Sequence, residues 1–264
     1  MDLFLIFVLT GAVAGVLAGL FGIGGGMIMV PALALILPTQ DVPADIVMHV
    51  ALGTSLAVIA ATSISSTLTH HRRGGVRWDV LRWFAPGLAI GAAVGAFVAD
   101  ALPGLALRRL VGVSSLLIAL QMALDYKFGV LARLRTPQPL ELGTASGLIG
   151  LLSSLIGIGG GSLTGPYLAL RGFELRQSVG TAAAGGIPIA WAGAIGYILA
   201  GWGTAGVPNP ALGYVSVSAF FSLAVIGTLV APLGARLAHR LKPRHLQLGF
   251  AFMLLCVGLE MLFG

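Results

Sequence analysis

The run Gly22-Ile23-Gly24-Gly25-Gly26 occurs again as Gly157-Ile158-Gly159-Gly160-Gly161, and each copy interrupts an apolar segment. Glycine clusters break helices, because glycine loses the most backbone freedom on ordering and takes positive φ without a Cβ clash. Inside hydrocarbon, broken backbone leaves amides and carbonyls unpaired at a cost of several kcal/mol, unless protein or a polar cavity surrounds them. Apolar stretches interrupted by glycine at corresponding places of two halves mark a secondary transporter built from repeats, with its site between broken helices. Glycines that occur singly serve close helix packing instead, as in the spacings Gly15/Gly19 and Gly91/Gly95.

The two copies match beyond the glycines. Gly15 and Pro31 align with Gly150 and Pro166 at the same offset, Gly53-Thr54 pairs with Gly180-Thr181, Gly87 and Pro103 pair with Gly227 and Pro243, and Gln121-Met122 pairs with Glu260-Met261. Residues 1–135 thus duplicate residues 140–264, as two repeats of one membrane domain. The chain is 57% hydrophobic and 9% charged, which leaves too little polar surface for a soluble domain. Apolar segments at 45–69, 83–102, 110–124, 178–200, 212–235 and 246–263 approach or exceed the roughly 18 residues of a membrane-crossing helix. The expected fold class is all-α and polytopic.

The cations decide the topology. If each glycine-broken segment crosses once, the repeats are parallel, and Arg72, Arg73, Arg77, Arg82, Lys127, Arg133 and Arg135 share one side while the other eight of the 15 lie opposite. If each segment enters and returns as a hairpin, each repeat has three further transmembrane helices and the second repeat is inverted. Arg171, Arg176, Arg236, Arg240, Lys242 and Arg244 then join the first side, leaving only Arg108 and Arg109 opposite. Basic residues in short loops mark the cytoplasmic side, so the inverted arrangement is expected, with both termini periplasmic. Segments 27–37 and 162–170 also fall short of the ~30 Å core at about 1.5 Å per residue. Whether residues 3–21 cross the full bilayer stays open. The leading residues carry Asp2 and no Lys or Arg, so the positive region of a signal peptide is missing and the segment is expected to be retained.

Two helix N-termini meeting at mid-bilayer offer free amides to an anion, each contributing about 0.5–2 kcal/mol. The expected substrate-binding residues are Gly22, Gly24, Gly25, Gly26, Met27, Thr54, Gly157, Gly159, Gly160, Gly161, Ser162 and Thr181, with Pro31 and Pro166 as hinges or gates. Ser153, Ser154, Ser162 and Thr164 align with Ala18, Gly19, Met27 and Met29, which predicts a polar wall from the second repeat and an apolar one from the first. Set against this, membrane hydroxyls commonly bond back to their own helix, and prolines also serve simply to end or kink one. His49 reads either as a titrating group or as a satisfied interface histidine. Trp78, Trp83, Trp202 and Tyr214 read as interface anchors, and Tyr167 and Trp191 as possible substrate contacts. Cys256, the single cysteine, excludes an internal disulfide and reads as a packing thiol.

The segment G-x-x-x-G-x-x-G-I-G-G-G, then P-A-L, A-L-G-T-S-L, the basic H-H-R-R-G-G-V loop and the second GIGGG half together resemble the sulfite exporter TauE/SafE family, also called the 4-toluene sulfonate uptake permease family. The resemblance covers essentially the whole chain. It implies a bacterial inner-membrane permease for sulfur-containing anions such as sulfite, sulfoacetate or aryl sulfonates, acting within the lipid bilayer without cofactor or metal. Its substrate region maps onto Gly22 to Gly26, Pro31, Thr54, Gly157 to Gly161, Pro166 and Thr181. The alternative is a passive anion channel or a permease for a non-sulfur organic anion. An enzyme is not expected: the G-x-x-G-x-G at 19–24 lacks a preceding strand, a βαβ unit and an acidic ribose ligand. A net charge of +6 carried in short loops suits lipid headgroups, not nucleic acid.

Overall fold

The computed structural model describes residues 11–13, 16, 26–124, 139–238 and 243–264. In chain order the described helices are α1 (Gly26–Ile36), α2 (Val47–Arg72), α3 (Trp78–Asp100), α4 (Gly104–Ala123), α5 (Pro139–Ile156), α6 (Gly161–Leu170), α7 (Leu175–Ala200), α8 (Val217–Ala238) and α9 (Pro243–Phe263). A 3-10 turn (Leu37–Gln40) follows α1, and the strands β1 (Ala211–Leu212) and β2 (Val215–Ser216) form a two-stranded turn before α8. Four of these helices, α2, α3, α4 and α7, are long and apolar enough to cross a membrane.

The helices begin earlier than the apolar runs suggest. α3 starts at Trp78 and takes in Arg82, and α4 starts at Gly104 and takes in Arg108 and Arg109. Helical hydrogen bonding continues past the hydrocarbon edge, where long basic side chains bury their stems and keep their charges in water. The run expected to span from residue 212 instead opens as the β turn, and its helix starts at Val217.

Glycine-mediated contact sets the relative direction of the helices. α3 and α5 run parallel: Gly87 backs onto Ser146 and Gly143, Gly91 onto Gly147, and Gly95 onto Leu151 and Ser154. Gly150 answers from α5 by meeting the Leu88 carbonyl and Ala92. A Cβ at any of these would enter backbone atoms, so the spacing Gly87, Gly91, Gly95 is a packing seam. α4 and α9 run antiparallel, with Gly112 and Gly258 each 3.0–3.1 Å from the other's carbonyl by the same measure. At one end of that pair Arg244 donates to the Met122 and Ala123 carbonyls, and at the other Arg108 faces Glu260 at 3.8 Å.

α5 and α6 are two arms that leave and return to one face. Arg171, just past α6, forms an ion pair with Glu141 in the first turn of α5. That face also carries the α2–α3 link, because the Arg77 guanidinium donates to Gln177 at 3.4 Å and Gly180 backs onto Gly75. Arg72, Arg73, Arg77, Arg171 and Arg176 therefore gather together. α1 takes the opposite course. Gly26 sits at Ile59 of α2 and Val30 lies with Leu52 against Gly157, so α1 heads toward the Val47 end of α2 while α6 heads for the Arg72 end.

Gly91→Ala should lower stability by about 1–3 kcal/mol, because its Cβ meets backbone that cannot yield. Gly143→Ala, with nothing within 4 Å, should be neutral or stabilising by about 0.5–1 kcal/mol. Thermal unfolding in detergent separates the two; equal losses would contradict the seam.

Candidate functional site: the glycine break

α5 ends in a glycine cap. Ile158 N–H donates to the Ser153 carbonyl at 2.9 Å, Gly157 N–H donates to the Ser154 carbonyl at 3.3 Å, and Gly157 sits at φ +74°. This is the Schellman arrangement, in which a left-handed residue satisfies the last carbonyls of a helix. Two residues later Gly160, at φ +73°, starts α6. Leu163 and Thr164 are the first amides to find a carbonyl, both at Gly160, so the Gly161 and Ser162 N–H groups precede the helical ladder. Ser55 of α2 donates its hydroxyl to the Gly157 carbonyl at 3.0 Å and pins the elbow.

The hydroxyls around this elbow are buried and unpaired. Ser153, Ser154 and Thr164 are 0% exposed, and among the described residues their side-chain oxygens have no hydrogen-bond partner; the same holds for Ser162 Oγ and Tyr167 Oη. A Cβ built on Gly160 would stand 3.6 Å from Ser153 Oγ and 3.5 Å from Thr164 Oγ1, so these two oxygens flank the glycine. The Tyr167 ring stacks on Phe84 at 5.7 Å, with the Arg171 guanidinium 5.4 Å from its centroid. Pro166 has no N–H, so the Ser162 carbonyl loses its helical partner and adds an acceptor to the same region. Leaving a buried hydroxyl unpaired costs about 1–3 kcal/mol. Among the described residues Ser153 and Thr164 bring two such oxygens to one point at Gly160, while Ser154 Oγ lies toward Gly193. Among the described residues no Lys, Arg, Asp or Glu side chain is buried, so any charge on a guest is met by dipoles.

The facing wall comes from α1. A Cβ on Gly26 would lie 2.5 Å from the Gly157 carbonyl and 3.1 Å from Ile158 Cα, which places the start of α1 directly against the α5–α6 elbow. Met27 packs with Ile156, Ile158, Ile118, Ala119, Phe250 and Leu254, and Met29 lies in the main core. This side is apolar. Gly22, Gly24 and Gly25 lie outside the described residues. Pro31 and Pro166 hold matching places inside the two short helices.

Thr54 and Thr181 are placed elsewhere. Thr54 Oγ1 accepts from Ser216 N–H and Thr181 Oγ1 from Arg77 N–H, each at 3.0 Å, just before α8 and α3 begin. The preceding Gly53 and Gly180 let the same loops approach, at Tyr214 and Gly75 respectively. Each Gly-Thr pair thus clamps the link into the helix of the other half. Two further residues differ from expectation: Tyr214 is buried and donates to Asp100 at 2.8 Å, and Trp191 is half exposed on the outer surface of α7. Ile59 and Ile189, which touch Gly159 and Gly160, carry no mark in the sequence beyond being apolar. Among the described residues no group of three His, Cys, Asp or Glu could hold a metal.

Four helices long and apolar enough to cross a membrane define a multi-pass membrane protein. The sulfite exporter TauE/SafE family model matches residues 7–261. A probable membrane transporter protein of Haemophilus influenzae is 35% identical over 258 residues, 97% of each chain. Another, from Methanocaldococcus jannaschii, is 29% identical over 97% of this chain and 94% of its own length, and Bacillus subtilis YunE, also named a probable membrane transporter protein, is 31% identical over 63% and 67%. No solved structure matches the chain. The chain belongs to the sulfite exporter TauE/SafE family.

Gly157→Ala and Gly160→Ala should each cost at least about 1–2 kcal/mol through the left-handed backbone. Gly161→Ala, whose Cβ meets nothing within 4 Å, should spare stability. Chemical denaturation of the purified protein checks the contrast, and equal tolerance at all three positions would contradict the two-glycine elbow.

Proposed function

We propose that this transporter is a secondary permease for a sulfur-containing oxyanion such as a sulfonate, sulfoacetate or sulfite, held at the glycine break. The observation that carries the reading is that, among the described residues, the Ser153 and Thr164 hydroxyls at Gly160 are buried without a partner, as is Ser162 Oγ, where the Gly161 and Ser162 amides precede the α6 ladder. Hydroxyl and amide N–H groups donate to oxyanions at a helix N-terminus. The Met27 side suits an apolar tail, because a thioether adapts to varied shapes. Gly159, Gly160, Gly161 and Ser162 would supply the polar contacts, Gly157 the turn that presents them, Gly26 the opposing backbone, and Pro31 and Pro166 the bending points; Gly22, Gly24 and Gly25, outside the described residues, are proposed as substrate-binding from the repeated motif. Thr54 and Thr181 act by clamping the helices that move.

Residues 1–135 and 140–264 act as inverted repeats that rock about the shared site. Three features support this: α1 and α6 leave the break in opposite directions, Thr54 and Thr181 make equivalent clamps, and Gly11 backs onto Ser222 and Leu223 of α8 much as α5 backs onto α3. The Arg72–Arg77 and Arg171–Arg176 face is the cytoplasmic one of a bacterial inner membrane, with both termini periplasmic.

Counterflow in proteoliposomes with radiolabelled 4-toluenesulfonate, sulfoacetate and sulfite, against carboxylate controls, tests the proposal. Saturable exchange of sulfur oxyanions in preference to carboxylates is expected; flux without trans-stimulation would indicate a channel. Thr164→Val and Ser153→Ala should each weaken apparent affinity about tenfold or more, as loss of a hydrogen bond to a charge of roughly 1.5–3 kcal/mol requires. Neither should destabilise the empty protein, since each removes an unpaired group. Unchanged half-saturation in both would overturn the site.

A further inference from the structure

Beyond the elbow, Thr164, Tyr167, Leu168 and Arg171 follow one another along α6 at spacings of three and four, and residues so spaced share a helix face. Contacts with α3 fix where that face lies. A Cβ built on Gly185 of α7 would meet Leu88 Cδ1 at 3.0 Å and Thr164 Cγ2 at 4.0 Å, so Thr164 lies near Leu88. One turn away on α3 is Phe84, fully buried, whose ring stacks on Tyr167 at 5.7 Å. The Arg171 guanidinium in turn stands 5.4 Å from the Tyr167 ring centroid. At about 1.5 Å per residue, Arg171 is about 10 Å along the helix axis from Thr164.

Tyr167 Oη is buried and has no hydrogen-bond partner among the described residues, although the residue as a whole is partly exposed. A buried phenol ordinarily finds such a partner. Arg171 carries the first positive charge after the elbow, since no Lys or Arg occurs from Gly157 to Leu170. The elbow meets a guest with dipoles, and Arg171 meets it with a full charge. Its side chain is 16% exposed, against 41% for Arg77, the other ion-paired arginine of the same face. Partial burial leaves that charge less screened by salt than one standing in water.

Glu141 of α5 holds this guanidinium in an ion pair. A guanidinium offers its donors in a planar fork that matches carboxylate or phosphate oxygens, and a sulfonate presents oxygens of the same kind. A guest anion and Glu141 therefore compete for one set of donors.

We infer that Tyr167 and Arg171 form a second anion station between the elbow and the arginine-rich face, which a sulfonate-class oxyanion occupies by displacing Glu141 from the guanidinium. The inference rests on the permease reading. With the ion pair closed, as it is here, the anion has the elbow alone. With the pair open, it exchanges the Thr164 hydroxyl and the α6 amides for the Tyr167 hydroxyl and the guanidinium. Glu141 then recloses the pair and releases the anion to water, so that the charge attracts the anion without trapping it.

An ion pair that only latches the base of the hairpin makes Glu141 and Arg171 equivalent, whereas a station sets them in opposition. Half-saturation of 4-toluenesulfonate counterflow in proteoliposomes separates the two. Arg171→Gln should raise it about tenfold or more, as loss of a charged hydrogen-bond donor requires, and Glu141→Gln should lower it about threefold or more by removing the competitor. Tyr167→Phe, which keeps the ring on Phe84, should raise it about fivefold. Thermal unfolding of the empty protein should fall alike in the two ion-pair variants, because both lose the same bridge. Half-saturation that rises in Glu141→Gln as it does in Arg171→Gln, or that is unchanged in any of the three variants, would overturn the station and leave the elbow standing. Where Arg171→Gln fails to insert, Glu141→Gln decides alone, and an unchanged or raised value overturns the inference. Absence of counterflow in the unaltered protein would remove the permease reading and this inference with it.

Discussion

Everything at the centre of this molecule depends on the contact between the start of α1 at Gly26 and the α5–α6 elbow at Gly157–Ile158. Only glycine permits it, since a side chain at position 26 would enter the Gly157 carbonyl and Ile59 together. α6 starts just after α5 stops and leaves amides ahead of its helical ladder, and such backbone is tolerated at membrane depth only within protein or beside a polar cavity. Ser55, the Schellman cap and Gly160 meet part of that demand. The hydroxyls that remain unpaired among the described residues are the part that the proposed anion would satisfy.

The scaffold holds this centre through backbone contact more than through side-chain interdigitation. Parallel α3 and α5 meet along a glycine seam, so the arm that ends in the elbow is carried on a crossing helix. The Glu141–Arg171 pair closes the base of the same hairpin at the cation-rich face. Thr54 and Thr181, placed alike in the two halves, tie α2 to the entry of α8 and α7 to the entry of α3. Under the proposed rocking motion, these ties would couple a bend in one half to the other.

Much of this was legible in the residues. The second hairpin follows from the short apolar run after Gly161, and its return to the Arg72–Arg77 face follows from the placement of Arg171 and Arg176. The polar wall was readable in Ser153, Ser154, Ser162 and Thr164, because hydroxyls cluster there and their aligned counterparts do not. Less visible was anything set by contacts distant in sequence. The Gly-Thr pairs stood out as repeated, but that each hydroxyl clamps an amide in the opposite half requires the fold. Tyr214 has the composition of an interface anchor, and only the β turn that carries it inward pairs it with Asp100. Hydropathy alone puts the starts of α3 and α4 too late, because it ends at the arginines whereas helical hydrogen bonding does not.

The most direct test is a crystal structure with bound 4-bromobenzenesulfonate, located by the anomalous signal of bromine. The account predicts the sulfonate within hydrogen-bond distance of the Gly161 or Ser162 amide and of Ser153 or Thr164, with the bromine directed toward Met27. An anion bound instead against arginine side chains at the membrane face, with the elbow hydroxyls still unpaired, would contradict it.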